Sequence, residues 1–129
     1  MDSDIEKIIE AGIQAPSGEN CQPWRFVLKQ KQILIFNIPE RDQSLYNWKQ
    51  HASFFSHGAL LENMNIAAST LGYVLHSRLF PEGSDQDLVA VIELRKSSIN
   101  PDFLFSSIRK RSTNRKPYKT DPLSLEQKN

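Results

Sequence analysis

The chain has 129 residues, 16 basic and 15 acidic, for a net charge of +1. That length suits one small domain or part of a larger protein, with room for one core and not two. Near-neutral bulk charge points to no nucleic-acid or membrane partner, and no stretch approaches the roughly 20 apolar residues of a membrane span.

The acidic start MDSDIEKII is unlike a basic signal peptide, and a single cysteine, Cys21, excludes an internal disulfide framework. A cytoplasmic protein is the expectation. Ser3 and Glu6 form a capping-box pair, and Ile5, Ile8, Ile9 and Ile13 share one helical face. These predict a first helix running to about Gln14 and stopped by Pro16. After a loop, WRFVL and ILIFNI are β-rich runs separated by polar residues, the pattern of a hairpin. Residues 49–72 lack proline and carry Phe54, Phe55, Leu61, Met64, Ala68 and Leu71, which predicts a long, largely buried helix closed by Gly72. YVLHSRLF and DLVAVIELR flank PEGSDQ as a second strand pair. Asp102 can cap a short helix through FLFSSIRK. Near the end, Ser124 and Gln127 form another capping-box signature.

Two stretches carry candidate chemistry. In APSGENCQPWRF, Pro16 stops a helix, Gly18 offers a positive φ, and Pro23 fixes the start of a strand, which is what any helix-to-strand connector needs. Loop polarity alone favours that plain reading. Ser17, Asn20 and Gln22 also present hydroxyl and amide groups on a constrained turn where a planar polar ligand could be bonded along its edge. Between 109 and 119, Arg109, Lys110, Arg111, Arg115, Lys116 and Lys119 occur without one acid, with Ser112, Thr113 and Asn114 among them. A charge run by itself reads as a solvated face or a contact patch. Guanidinium forks interleaved with hydroxyls suit a discrete phosphate site.

Other candidates are weaker. His51 and His57 fall on different faces of a helix, so they do not make a zinc pair, and no GxGxxG, Walker A or GxSxG pattern occurs. Nothing in the sequence lowers the pKa of Cys21, which reads as a bystander in the loop.

The two stretches together resemble the nitroreductase family of flavin mononucleotide (FMN) enzymes. APSGENCQPWRF is similar to that family's APSxxNxQPWxF loop, RSTNRKPY to its Arg-x-Ser/Thr-x-Arg motif, and HGALLENMNIAASTLGY to its core helix. The resemblance implies an α+β fold, a mostly antiparallel sheet packed with helices around a long core helix. It implies that Arg111, Thr113 and Arg115 hold the FMN phosphate and ribityl end or the polar ring edge. Pro16, Ser17, Gly18 and Asn20 would line the isoalloxazine, typically from across a dimer interface. Gln22 and Trp24 match the motif as loop support and core packing. Implied partners are NADH or NADPH as hydride donor and nitroaromatics, quinones or similar small-molecule acceptors.

The motif order departs from the family's usual one, because here the arginine motif follows the loop. That order resembles longer relatives in which two fused halves mimic the dimer. Residues 1–108 would then be one half-domain, with 109–129 carrying the arginine motif and the start of a further helix. No catalytic acid, base, nucleophile or metal is required of the chain itself, since the flavin carries the chemistry. Two alternatives stay open: an FMN-binding or sequestering protein without turnover, and a nonenzymatic interaction domain that uses the basic 109–119 stretch.

Overall fold

The computed structural model describes residues 2–83 and 85–128. Helix α1 spans Asp2–Gly12. It begins one residue ahead of Ser3, which therefore sits inside the first turn, and the expected capping box with Glu6 is not formed. Backbone bonds from Ile13, Gln14 and Ala15 to Ile9, Ala11 and Gly12 carry the turn onward to Pro16. Ile8 is fully buried, and Ile5, Ile9 and Ile13 pack beside it, as a helical period of 3.6 requires.

Strands β1 (Trp24–Lys29) and β2 (Gln32–Asn37) form the predicted hairpin, in register from Trp24 opposite Asn37 to Lys29 opposite Gln32. The long helix α2 spans His51–Thr70 and ends at Gly72, whose φ of +73 and N–H bond to the Ser69 carbonyl close it as expected. Helices α1 and α2 press together at Gly12, where an added Cβ would lie 2.6 Å from Met64 Cγ. Strands β3 (Tyr73–Leu79) and β4 (Leu88–Lys96) form the second antiparallel pair; Ser84, between them in sequence, is outside the described residues. The two hairpins join through β2 and β4, giving the antiparallel order β1-β2-β4-β3, with a bulge between Ile35 and Phe36.

One face of this sheet makes the core. Trp24, Ile33, Ile35, Ala90, Ile92 and Tyr73 cluster with Ile8, Leu60 and Met64 of the helices. Helix α3 covers only Phe105–Ile108, shorter than the sequence suggests. Asp102 Oδ1 accepts the Leu104 N–H ahead of it at 2.8 Å, and the Asp102 N–H is tied to Ser69 Oγ of α2 at 2.9 Å. From Arg109 to Lys128 every residue is exposed. Within that segment Ser124 and Gln127 do form their capping box: the Ser124 N–H donates to Gln127 Oε1 and the Gln127 N–H to Ser124 Oγ, at 2.9 and 3.3 Å. A single 3-10 turn, Glu126–Lys128, follows it. The fold is thus α+β, an antiparallel sheet with its helices assembled around α2.

Candidate functional site

The loop after α1 folds onto itself. Ser17 Oγ accepts the Gln22 N–H at 2.9 Å, while the Asn20 and Cys21 N–H groups donate to the Ser17 and Gly18 carbonyls at 3.0 and 2.8 Å. Sequence reasoning gives the positive φ to Gly18, and the structure corrects this. Glu19, Asn20 and Gln22 carry it instead, at 46°, 59° and 48°. Each such residue costs roughly 1 kcal/mol or more, so the surrounding structure must hold the loop in place.

That support comes from the segment after β2. Arg41 Nη1 donates to the Gln22 carbonyl at 2.8 Å. Asp42 Oδ1 accepts from the Ser44 N–H and hydroxyl at 3.1 and 2.7 Å, which presents its other oxygen to Gly18. A Cβ on Gly18 would sit 2.9 Å from that oxygen, so glycine here provides room and not backbone freedom. Burial, as the largest cause, raises the Cys21 thiol above its ordinary value of 9.0; Ser17 lowers it and Asp42 raises it further. The thiol is therefore a poor nucleophile, in line with its reading as a bystander.

The loop borders α2. Pro16 and Ser17 meet Phe55, Ser56 and Ala59 around a hollow of about 200 Å³. Next to it, His51, Phe54, Phe55, Gly58 and Ala59 line a wider one of about 490 Å³. Phe55, expected to help bury α2, is 83% exposed and points outward between the two hollows. The signal for this was in the sequence: His51, Phe55, Gly58, Ala59 and Glu62 follow helical spacing on one face, away from Leu60, Met64 and Ala68. Gly58 is the unusual member. Nothing lies within 4 Å of where its Cβ would be, so packing inside the chain does not call for glycine. A glycine in a helix interior costs roughly 0.5–1 kcal/mol relative to alanine, and no contact among the described residues offsets that cost.

Behind this face a polar cluster fixes the start of α2. Asn47 Nδ2 donates to the Asp42 carbonyl at 2.7 Å and to Ser53 Oγ at 2.9 Å, while Asn47 Oδ1 accepts the Ser53 N–H at 3.0 Å. Asn47 thereby caps the helix from outside it, just before Lys49 and Gln50 turn the backbone through φ values of 50° and 62°. One turn further on, His57 is 1% exposed. Its Nδ1 lies 2.8 Å from the Ser53 carbonyl, the arrangement of a donated N–H, while its Nε2 makes no well-formed hydrogen bond among the described residues, although the Phe36 backbone is near enough to act on the ring. The Trp24 ring meets it edge-on at 6.1 Å. Burial lowers the imidazole below its ordinary 6.5, so it is neutral in the core and serves packing. His51 is exposed, and no cluster of potential metal ligands occurs among the described residues.

The second stretch stands apart from the first. Arg111, Thr113 and Arg115 are all exposed, and no side-chain hydrogen bond or ion pair engages them among the described residues. Among the described residues, Arg109 is the one cation of this stretch in an ion pair, with Glu10 at 4.0 Å and both side chains well exposed. Pro16 and Ser17 therefore gather with Phe55, Ser56 and Ala59 of α2, Gly18 and Asn20 continue the same loop, and no bond joins any of them to the arginines.

Helices around a long central α2 and a four-stranded antiparallel sheet define a nitroreductase-like fold. A nitroreductase-like protein of Desulfovibrio desulfuricans, solved in complex with FMN, matches it with a TM-score of 0.63 and 21% identity, covering 96% of this chain and 87% of that one. A nitroreductase family protein of Clostridium difficile gives 0.61 and 15%, covering 95% and 88%. In sequence the chain is similar to two Mycobacterium tuberculosis proteins named as candidate NAD(P)H nitroreductases, Rv3131 and acg, each 24% identical over 92% of this chain. The match spans only 35% and 37% of their lengths, so the chain covers about a third of these relatives. No family model matches the chain. Both kinds of comparison support the resemblance to the nitroreductase family.

Proposed function

We propose that this chain provides half of an FMN site in a cytoplasmic NAD(P)H oxidoreductase of nitroreductase type. The observation that carries the reading is the hollow between Pro16–Ser17 and α2, flanked by exposed Phe55 and by Gly58, where no atom of the chain fills the place of a side chain. A flat ring system fits such a cradle, since apolar groups can cover its faces while a few polar groups meet its edge. The Ser17 hydroxyl accepts the Gln22 N–H and faces the Cys21 sulfur, so its proton could turn from the thiol to a ring edge. Asn20 offers an amide that both donates and accepts, suited to alternating carbonyl and nitrogen positions. The unengaged guanidinium groups of Arg111 and Arg115, with the Thr113 hydroxyl, suit the phosphate. Bound FMN would accept hydride from NADH or NADPH and pass electrons to nitroaromatic, quinone or similar acceptors. The protein's share is then to bind, orient and shield.

Because no bond joins the loop to the arginines within the chain, the full site calls for a second contributor. That contributor is either another copy of the chain or a following half of the same polypeptide. Exposed Leu45, Tyr46, Trp48 and Phe55 support such an interface. The test is to denature the purified protein, quantify the FMN released, and repeat with Arg111→Ala and Arg115→Ala. FMN affinity should fall several-fold or more, since a charged hydrogen bond contributes roughly 1.5–3 kcal/mol. Unchanged affinity in both variants would remove the phosphate assignment, and a monodisperse monomer binding FMN stoichiometrically would remove the half-site.

A further inference from the structure

The sheet face turned away from the helices has a pattern of its own. Strand register places Arg25, Phe36 and Leu88 in one row across it, Val27, Leu34, Val91 and Arg78 in the next, and Lys29, Gln32, Glu93 and His76 in a third. Arg95 continues the edge beyond them. None of the apolar side chains in these rows belongs to the core cluster; Val27, Leu34 and Phe36 are half-buried, while Leu88 and Val91 are buried beneath their neighbours. The Arg25 guanidinium sits over the Phe36 ring, 4.3 Å from its centre. Four permanent cations, Arg25, Lys29, Arg78 and Arg95, thus surround an apolar centre that contains one carboxylate. Glu93 is already committed: it accepts from Gln32 Nε2 at 2.8 Å and from Arg95 at 3.3 Å. The bond from Gln32 first, and Arg95 second, hold its carboxyl below the ordinary range.

We propose that this face docks an acidic amphipathic protein segment, apolar side chains over the half-buried Val27 and Leu34 and carboxylates toward Arg25, Arg78 and Arg95. Charge complementarity selects the partner, because a four-to-one excess of cations around apolar ground repels a like surface and attracts an acidic one. A single-stranded nucleic acid fits less well, since base stacking needs several open aromatic faces, and with Phe36 covered by Arg25 only the small His76 imidazole offers one. This surface lies on the opposite side of the sheet from α2 and does not depend on the flavin reading.

Fluorescence anisotropy of the full chain with a labelled helical peptide, glutamates flanking a leucine stripe, tests the proposal. Polyuridylate serves as a competing polyanion. The peptide should bind, and an Arg78→Glu/Arg95→Glu variant should weaken it about tenfold or more, the equivalent of one lost charged contact. Val27→Ser should weaken it as well, which a purely electrostatic surface would not show. If charge reversal lowers the melting temperature, the milder Arg78→Gln/Arg95→Gln variant decides. Absence of peptide binding, equal capture of polyuridylate, or loss of self-association as the only effect of charge reversal would each overturn the proposal.

Discussion

A Cβ on Gly18 would come within 2.9 Å of Asp42 Oδ2, the carboxylate whose other oxygen is held by Ser44. Asp42 cannot simply rotate away, because it is buried and doubly bonded. Gly18→Ala should therefore destabilise the protein by about 1–2 kcal/mol, within the usual cost of overpacking. Urea unfolding measures it. The penalty should shrink in an Asp42→Ala background; equal penalties in both backgrounds would mean that the carboxylate is not the obstacle.

Gly58 should respond in the opposite sense. With no atom near its would-be Cβ, Gly58→Ala meets no clash and gains helix propensity, so it should stabilise the isolated chain by about 0.5–1 kcal/mol. If something outside the chain approaches this face, the same variant should weaken FMN retention or self-association. Thermal melting together with released-flavin assay separates the two effects. A stabilised variant that keeps both properties unchanged would show the glycine to be incidental.

From a buried position the Asn47 side chain bonds four groups: the Asp42 carbonyl, Gln50 Oε1, Ser53 Oγ and the Ser53 N–H. Removing its amide in Asn47→Ala leaves the Asp42 carbonyl, Ser53 Oγ and Ser53 N–H without their partner. The expected loss is about 2–3 kcal/mol, larger than for an exposed helix cap, because the abandoned groups are shielded from water. Hydrogen exchange at the Ser53 amide should accelerate more than exchange at the helix centre. Uniform acceleration would point to global destabilisation without a capping role.

The buried imidazole makes stability depend on pH. His57 has its pKa lowered in the folded chain, so between the folded and unfolded values the unfolded chain binds the extra proton. Its contribution is whole above the ordinary value of 6.5 and is lost as pH falls below that value. Melting temperature should drop between about pH 7 and about pH 5, with a shallower slope in His57→Gln. An identical slope in the variant would assign the effect to other groups.

Much of the fold was legible because it is local. Each hairpin announces itself by β-rich runs, and Gly72 closes α2 with the positive φ that only glycine adopts cheaply. The Ser3–Glu6 box failed because the helix had a longer start available, whereas Ser124–Gln127 formed in a segment with no competing structure. In the loop, the end of α1 before Pro16 was legible, yet the positive φ expected at Gly18 falls on its neighbours and the glycine instead makes room for Asp42. Asp42 lies far along the chain from it, and no local rule reveals a carboxylate arriving from behind. Phe55 was legible in principle by helical spacing, but a phenylalanine in an apolar helix invites the assumption of burial. His57, buried and neutral, carries no pattern that separates it from exposed His51.

The strand order has a consequence for how the chain finds its shape. Both hairpins close short loops and can zip early, while the central seam between Phe36 of β2 and Leu88 of β4 must wait for α2 to bring its ends together. The seam is thus the slow, entropically costly closure. Until it forms, two half-sheets present open strand edges, so the hazard of mispairing is concentrated at β2 and β4, the strands best protected once folding is complete.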